Sequence, residues 1–153
     1  MKIKALILLA SVCFVACNGT ESKVDVTPSK LNGTWQLKSS AAITNGDTVN
    51  TSPAKGIETI KIFNDTHFAF FSHDLNQGKD SSAVYSSGSG TYTLIGDNYE
   101  EHLAFCTARA WENHNFKFKL SLDNDTLQQK GIEKIDSLKI NREIIETYVR
   151  KRK

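Results

Sequence analysis

Glu101 is where chemistry in this chain would have to begin. Residues 86–105 read as a β-hairpin. Tyr92 and Leu94 alternate with Thr91, Thr93 and Ile95; Gly96-Asp97 turns the chain; Tyr99, Glu101, Leu103 and Phe105 alternate with Asn98, Glu100, His102 and Ala104. A two-residue turn with glycine first suits the type II′ geometry that matches strand twist. It fixes the pairs Leu94–Tyr99, Tyr92–Glu101 and Gly90–Leu103, so Glu101 is the single carboxylate on an otherwise apolar face. A carboxylate in that position must be paired, hydrogen-bonded or protonated. Two roles stay open: an internal structural pair, with Arg150 or Tyr92 as partner, and a contact to a bound molecule. The first is the commoner use of buried charge.

Other reactive side chains offer less. His67, His73 and His102 fall on outward strand faces and His114 in a loop, with no convergent carboxylate, so no metal site is expected. Cys106 has no second Cys or His at zinc-ligand spacing and reads as a small apolar filler at a strand end. No nucleophile elbow, phosphate-cradling glycine loop or Cys–His pairing is present, and Gly88-Ser89-Gly90 is not followed by a helix. The expectation is a protein that is not an enzyme and carries no cofactor.

The elements that must position Glu101 are strands. Trp35, Leu37 and Ser39 share one face of a first strand. Residues 40–55 are polar with little periodicity and read as a structureless connection, either disordered or a functional flap. In residues 56–74 a three-residue loop, Asn64-Asp65-Thr66, places Ile60, Ile62, Phe68 and Phe70 inward, and Lys61, Phe63, His67 and His73 outward. Glycines at 88 and 90 mark a bulge or barrel corner. Phe116, Phe118, Leu120 and Leu122 alternate with Lys117, Lys119, Ser121 and Asp123, and Asn124-Asp125 turns that strand back. Around residues 133–141 the alternation blurs into one helical turn before Ile144, Glu146, Tyr148 and Arg150 close the chain as a strand. Eight or nine sequential hairpin strands with one apolar face imply an all-β, antiparallel up-and-down barrel of about eight strands, because closure removes exposed edges.

The chain opens with Met1-Lys2-Ile3-Lys4 and an unbroken apolar run over residues 5–16, too short for a membrane-spanning helix and proportioned like a signal-peptide core. Its end, Phe14-Val15-Ala16-Cys17, resembles the lipobox of bacterial lipoproteins, with Phe14 where that motif usually has leucine. The resemblance implies a signal peptide over residues 1–16, lipid on Cys17, a flexible tether over residues 17–29 and one barrel domain over residues 30–153. Loss of residues 1–16 takes Lys2 and Lys4 and no acid, leaving 17 basic against 17 acidic residues. A neutral domain has no electrostatic footprint for nucleic acid.

Gly33-Thr34-Trp35 on the first strand with Arg150 on the last resembles the lipocalin arrangement, in which the tryptophan plugs one barrel end and the arginine packs across it. Gly88-Ser89-Gly90-Thr91-Tyr92-Thr93-Leu94, Gly96-Asp97, Tyr99 and Glu101, with the ending Glu146-Thr147-Tyr148-Val149-Arg150, is similar to lipocalin-like domains of uncharacterised bacterial envelope lipoproteins. The resemblance implies a lipocalin-like barrel, lipid-anchored in the cell envelope at the outer membrane, closed by Gly33, Trp35 and Arg150. The expected function is capture of a small apolar or amphipathic molecule, with Glu101, Tyr92, Tyr99, Phe68, Phe70 and Phe118 around it. The alternative is a structural or interaction lipoprotein with a filled core. The membrane is the expected partner, through the lipid; no protein partner is named by the residues.

Overall fold

The computed structural model describes residues 26–79, 81 and 83–152. The signal-peptide and lipidation expectations, Cys17 included, lie outside the described residues. A four-residue helix, α1 (Pro28–Leu31), precedes nine strands: β1 (Gly33–Thr44), β2 (Asp47–Asn50), β3 (Ile57–Phe63), β4 (His67–Asp74), β5 (Tyr85–Ile95), β6 (Asn98–Cys106), β7 (His114–Asp123), β8 (Thr126–Ile135) and β9 (Ile140–Arg150). All neighbours pair antiparallel. β9 returns to pair with β1 from Trp35↔Arg150 to Ile43↔Glu143, closing β1 and β3–β9 into an eight-stranded barrel. β2 is the ninth strand and lies outside the ring. It pairs with the second half of β1, while β3 pairs with the first half. A bulge between Leu37 and Ser39 bends β1 at that handover.

The central hairpin has the register its turn requires, with Leu94↔Tyr99 and Tyr92↔Glu101. Farther from the turn the pattern slips. Ser89 pairs with Phe105 but Gly90 with Leu103, so Ala104 is the extra residue of a bulge. A Cβ at Gly90 would lie 1.8 Å from the His102 carbonyl oxygen, which is why this corner takes glycine. The bulge turns Phe105 out to 68 % exposure, against the inward position its alternation suggests, and Cys106 faces the barrel interior instead.

Three further expectations are corrected. Residues 40–55 are not a structureless connection: β1 runs on to Thr44 and Asn45-Gly46, both at positive φ (52° and 89°), turns it into β2. Asn-Gly favours that turn because both central residues must be left-handed. The segment is then tied down by Ser40, whose N–H donates to Ser52 Oγ (3.0 Å) and whose hydroxyl meets Thr51 Oγ1 (2.7 Å). The β3–β4 turn spans four residues between Phe63 and Phe68, because the Asn64 side chain accepts the N–H groups of Thr66 and His67 in an Asx turn. That extra residue inverts β3 relative to β4: Lys61 and Phe63 point in with Phe68 and Phe70, which hold their expected face, and Ile62 points out. Finally, the end of the expected tether belongs to the barrel. Val26 is 5 % exposed and packs with Leu31 and Trp35.

The core is layered. Trp35, Phe63, Phe68, Tyr92, Tyr99, Phe118, Leu120 and Leu127 fill the end of the barrel next to α1. Tyr99 sits among Tyr92 (5.3 Å between ring centroids), Phe63 (6.1 Å) and Phe118 (6.3 Å).

Candidate functional site

One barrel end is sealed. The Arg150 guanidinium lies 4.1 Å over the Trp35 ring and donates to the carbonyls of Asn32 (2.7 Å) and Lys30 (2.6 Å). Trp35 Nε1 donates to the Leu31 carbonyl at 2.7 Å. These are carbonyls at and just beyond the end of α1, which a helix leaves without intrahelical donors. Gly33, at φ +126°, lies so close under Arg150 that a Cβ would stand 3.1 Å from Nη1.

At the other end the barrel holds a cavity of about 380 Å³. Its floor is an ion pair. Lys61 Nζ donates to Glu101 Oε2 at 2.8 Å and to Gln129 Oε1 at 3.0 Å, and Tyr99 donates its hydroxyl to the same carboxylate oxygen at 2.8 Å. Lys61 and Glu101 are only 4 % and 8 % exposed. The ammonium also sits over the Phe68 and Tyr99 rings, at 4.8 and 5.3 Å, so aromatic faces replace part of its lost hydration. Burial, with the Glu101 charge and hydrogen bond beside it, holds the Tyr99 phenol far above its ordinary pKa, so it stays a donor.

The walls carry two more carboxylates. Glu133 of β8 takes the Arg142 guanidinium of β9 at 2.7 Å, and Arg142 lies 5.7 Å from the Trp111 ring. Glu146 of β9 accepts the Tyr148 hydroxyl at 2.7 Å. Both carboxyl pKa values are raised, in each case chiefly by burial, with neighbouring carboxylates adding to it; Arg142 opposes the rise at Glu133 and Lys61 the rise at Glu146. Between the carboxylates the lining is mixed: Leu37, Phe70, Leu103, Phe116 and Ile144 are apolar, and Thr59, Ser72 and Ser86 add hydroxyl groups. The β6–β7 connection folds a 3-10 turn (Arg109–Trp111) against the cavity and sets Trp111 5.9 Å from Phe116. Glu112 secures that connection by accepting the Cys106 N–H at 2.9 Å.

The structure divides the residues named from sequence. Glu101 and Phe70 line the cavity. Tyr92, Tyr99, Phe68 and Phe118 pack in the filled layer instead, where their large rings leave no space between them. Tyr92 spends its hydroxyl on the Asn64 carbonyl (2.7 Å), so neither it nor Arg150 is the hydrogen-bonding partner of Glu101. That partner is Lys61, which the three-residue loop had placed outside. An inward carboxylate needs an inward cation, but the neighbours of Lys61 do not single it out, because Lys117 and Lys119 also lie between apolar strand residues. Sequence reasoning also passed over Gln129, Glu133, Arg142 and Trp111. His67 and His73 are exposed, His102 meets Asn115, and His114 begins β7 rather than lying in a loop, its Nδ1–H donating to the Trp111 and Glu112 carbonyls. Among the described residues no three His, Cys, Asp or Glu side chains come together as a metal-binding set.

No curated protein matches the chain. The eight-stranded barrel, sealed at one end and hollow at the other, is compatible with a lipocalin-like fold. A family match covers residues 30–153, from within α1 to the last residue, and the chain therefore belongs to the family described as Domain of unknown function (DUF4488).

Proposed function

We propose that this protein is a non-enzymatic binding protein that holds a small amphipathic molecule in the open end of its barrel. The observation that carries the reading is the cavity of about 380 Å³ itself. It falls in the ~300–1,000 Å³ range of small-molecule pockets and combines apolar walls with a few convergent polar groups, as such pockets do. The body of the ligand would lie against Leu37, Phe70, Leu103, Phe116 and Ile144, and its polar end would meet the carboxylates. Sequence resemblance at residues 14–17 supports the rest of the proposal, that lipid on Cys17 anchors the barrel in the bacterial envelope, at the outer membrane.

Native mass spectrometry of the full chain purified from its own envelope tests both parts. The expected result is a mature N-terminus at Cys17 carrying acyl chains and a second, non-covalent mass that dissociates on activation. Bare protein, together with no small-molecule capture in solution, would remove the binding role. An unmodified N-terminus elsewhere would remove the anchor.

A structural or interaction role is the second reading. Its support is the outer wall, where Phe105 (68 % exposed) and Ile62 flank the small residues Ser89 and Gly90. Phe105→Ser leaves the cavity untouched, so a loss of envelope association with that variant alone would favour this reading.

A further inference from the structure

The charges in the cavity do not balance, and the imbalance bears on the chemistry of its ligand. Two cations and three carboxylates line it. Lys61 is matched by Glu101 at 2.8 Å and Arg142 by Glu133 at 2.7 Å. Glu146 is left with a hydroxyl as its partner, Tyr148 at 2.7 Å, and with no Lys, Arg or His in salt-bridge range among the described residues. A hydroxyl hydrogen bond orients a carboxylate without neutralising it, and Glu146 is half-buried, so its charge is partly withdrawn from water at a cost that a cation would offset. Glu146 is paired across the ladder with Gln129, the residue whose carbonyl helps hold Lys61, so the unmatched charge sits directly beside the cavity floor.

The hydrogen-bond inventory points the same way. Glu101, Glu133 and Glu146 each use Oε2 for their protein partner, and no donor among the described residues reaches Oε1 of any of them. The cavity therefore offers surplus acceptors on top of surplus negative charge. An ammonium group supplies three donors and one positive charge together. The aromatic lining, Phe70, Trp111 and Phe116, is also the surface on which a desolvated cation is best tolerated. A metal ion would need a convergent ligand set, which these carboxylates do not form.

We propose that the molecule held in the barrel is an amphipathic organic amine, and that Glu146 is the counter-ion of its ammonium group. The inference rests on the binding reading above and adds the ligand's chemical class to it. The groups that face the ammonium are Lys61 from β3, Glu101 from β6, Gln129 and Glu133 from β8, and Arg142 and Tyr148 from β9; Tyr99 acts from below, through its hydrogen bond to Glu101. The raised carboxyl pKa values of Glu133 and Glu146 agree with a site that takes up a proton when no other cation fills it.

Calorimetric titration of the folded barrel with three probes that share one body, 4-phenylbutylamine, 4-phenylbutanol and 4-phenylbutanoate, tests this. The amine should bind roughly tenfold or more tighter than the alcohol, a difference of about 1.4 kcal/mol, and the carboxylate weakest. Glu146→Gln should bring amine and alcohol to within about threefold while alcohol binding persists, with thermal melts confirming that the variant is folded. Amine affinity should fall as the pH is lowered from neutrality into the raised carboxyl range, and alcohol affinity should not. Equal or tighter binding of the alcohol or the carboxylate would overturn the amine inference and leave the binding reading standing. Binding of none of the three also overturns it. If native mass spectrometry then finds a bound molecule without a basic nitrogen, only the ligand class is wrong; if it finds bare protein, the binding reading falls as well.

Discussion

The two ends of the barrel use the same ingredients to opposite effect. Each has a guanidinium against an indole: Arg150 lies 4.1 Å over Trp35 at the sealed end, and Arg142 lies 5.7 Å from Trp111 at the open one. At the sealed end the cation spends its donors on carbonyls around the end of α1 and the space is filled; Asn32 Oδ1 is the one buried side-chain polar atom there without a partner among the described residues. At the open end the cation is spent on Glu133, and the neighbouring carboxylates keep acceptor oxygens turned toward empty space. An eight-stranded barrel is just wide enough either to be filled by side chains or to hold one small ligand. This barrel does one in each half, and the Lys61–Glu101–Gln129 layer is the partition. Burial at the sealed end is therefore a matter of stability, whereas the open end gives up packing and charge balance in a way that a ligand would restore.

The largest expected effect lies at the sealed end. Trp35→Ala removes a fully buried ring and leaves Arg150 without its apolar support, so it should cost about 3–5 kcal/mol in denaturant unfolding. A loss below about 1 kcal/mol would mean that α1 and Arg150 do not close the barrel.

The partition comes next. Lys61→Met strands the Glu101 carboxylate in a place only 8 % exposed and should cost about 3 kcal/mol, at the lower end for a broken buried pair because the cavity above it can admit water. Adding Glu101→Leu should recover most of that loss, since two apolar side chains replace two matched charges. Failure of the second change to rescue the first would show that Lys61 is held by Gln129 and the aromatic rings rather than by Glu101.

How much of this was legible in the sequence follows the same partition. The central hairpin could be read because it is fixed locally, Gly96-Asp97 setting its register; the sealed end joins the two ends of the chain and was read from the resemblance of Gly33, Trp35 and Arg150 to the lipocalin arrangement. The fold class followed from alternation alone. The open end could not be read, because its chemistry depends on one local count and several distant pairings. The Asn64 Asx turn adds a residue that the strand pattern does not show, and with it Lys61 moves from outside to inside. A lysine between Ile60 and Ile62 looks like the exposed member of an alternating strand; its inward position is made tolerable only by Glu101, 40 residues on. Glu133 and Arg142 meet across the β8–β9 ladder through a connection where the alternation breaks down. Asn45-Gly46 was the missed local signal: it is a strong turn dipeptide in a stretch judged by its polarity.

A smaller effect is expected at Gly33. Its φ is +126°, and an added Cβ would stand 3.1 Å from Arg150 Nη1, so Gly33→Ala both strains the backbone and crowds the guanidinium. The expected cost is about 1–3 kcal/mol, with the cavity and its binding unaffected. Loss of ligand capture at unchanged stability would contradict the division of the barrel into two independent ends.

The smallest effect is the most informative about the open end, because its sign differs from all the others. The carboxyls of Glu133 and Glu146 have raised pKa values in the folded chain, burial being the main cause at both. Each therefore takes a proton more readily folded than unfolded. Their favourable contribution is present in full below the ordinary carboxylate range and is lost as the pH rises through the folded values. Glu146→Gln removes one of these groups but keeps an acceptor for the Tyr148 hydroxyl. At about pH 4, where the native carboxyl is largely protonated in both states, variant and parent should unfold alike. Near neutrality the variant should be the more stable, by about 1 kcal/mol, since glutamine carries no charge to be desolvated. Unfolding curves at the two pH values measure this directly. A variant less stable than its parent near neutrality would mean that Glu146 already has the cation it needs, and the open end would then be a second sealed end.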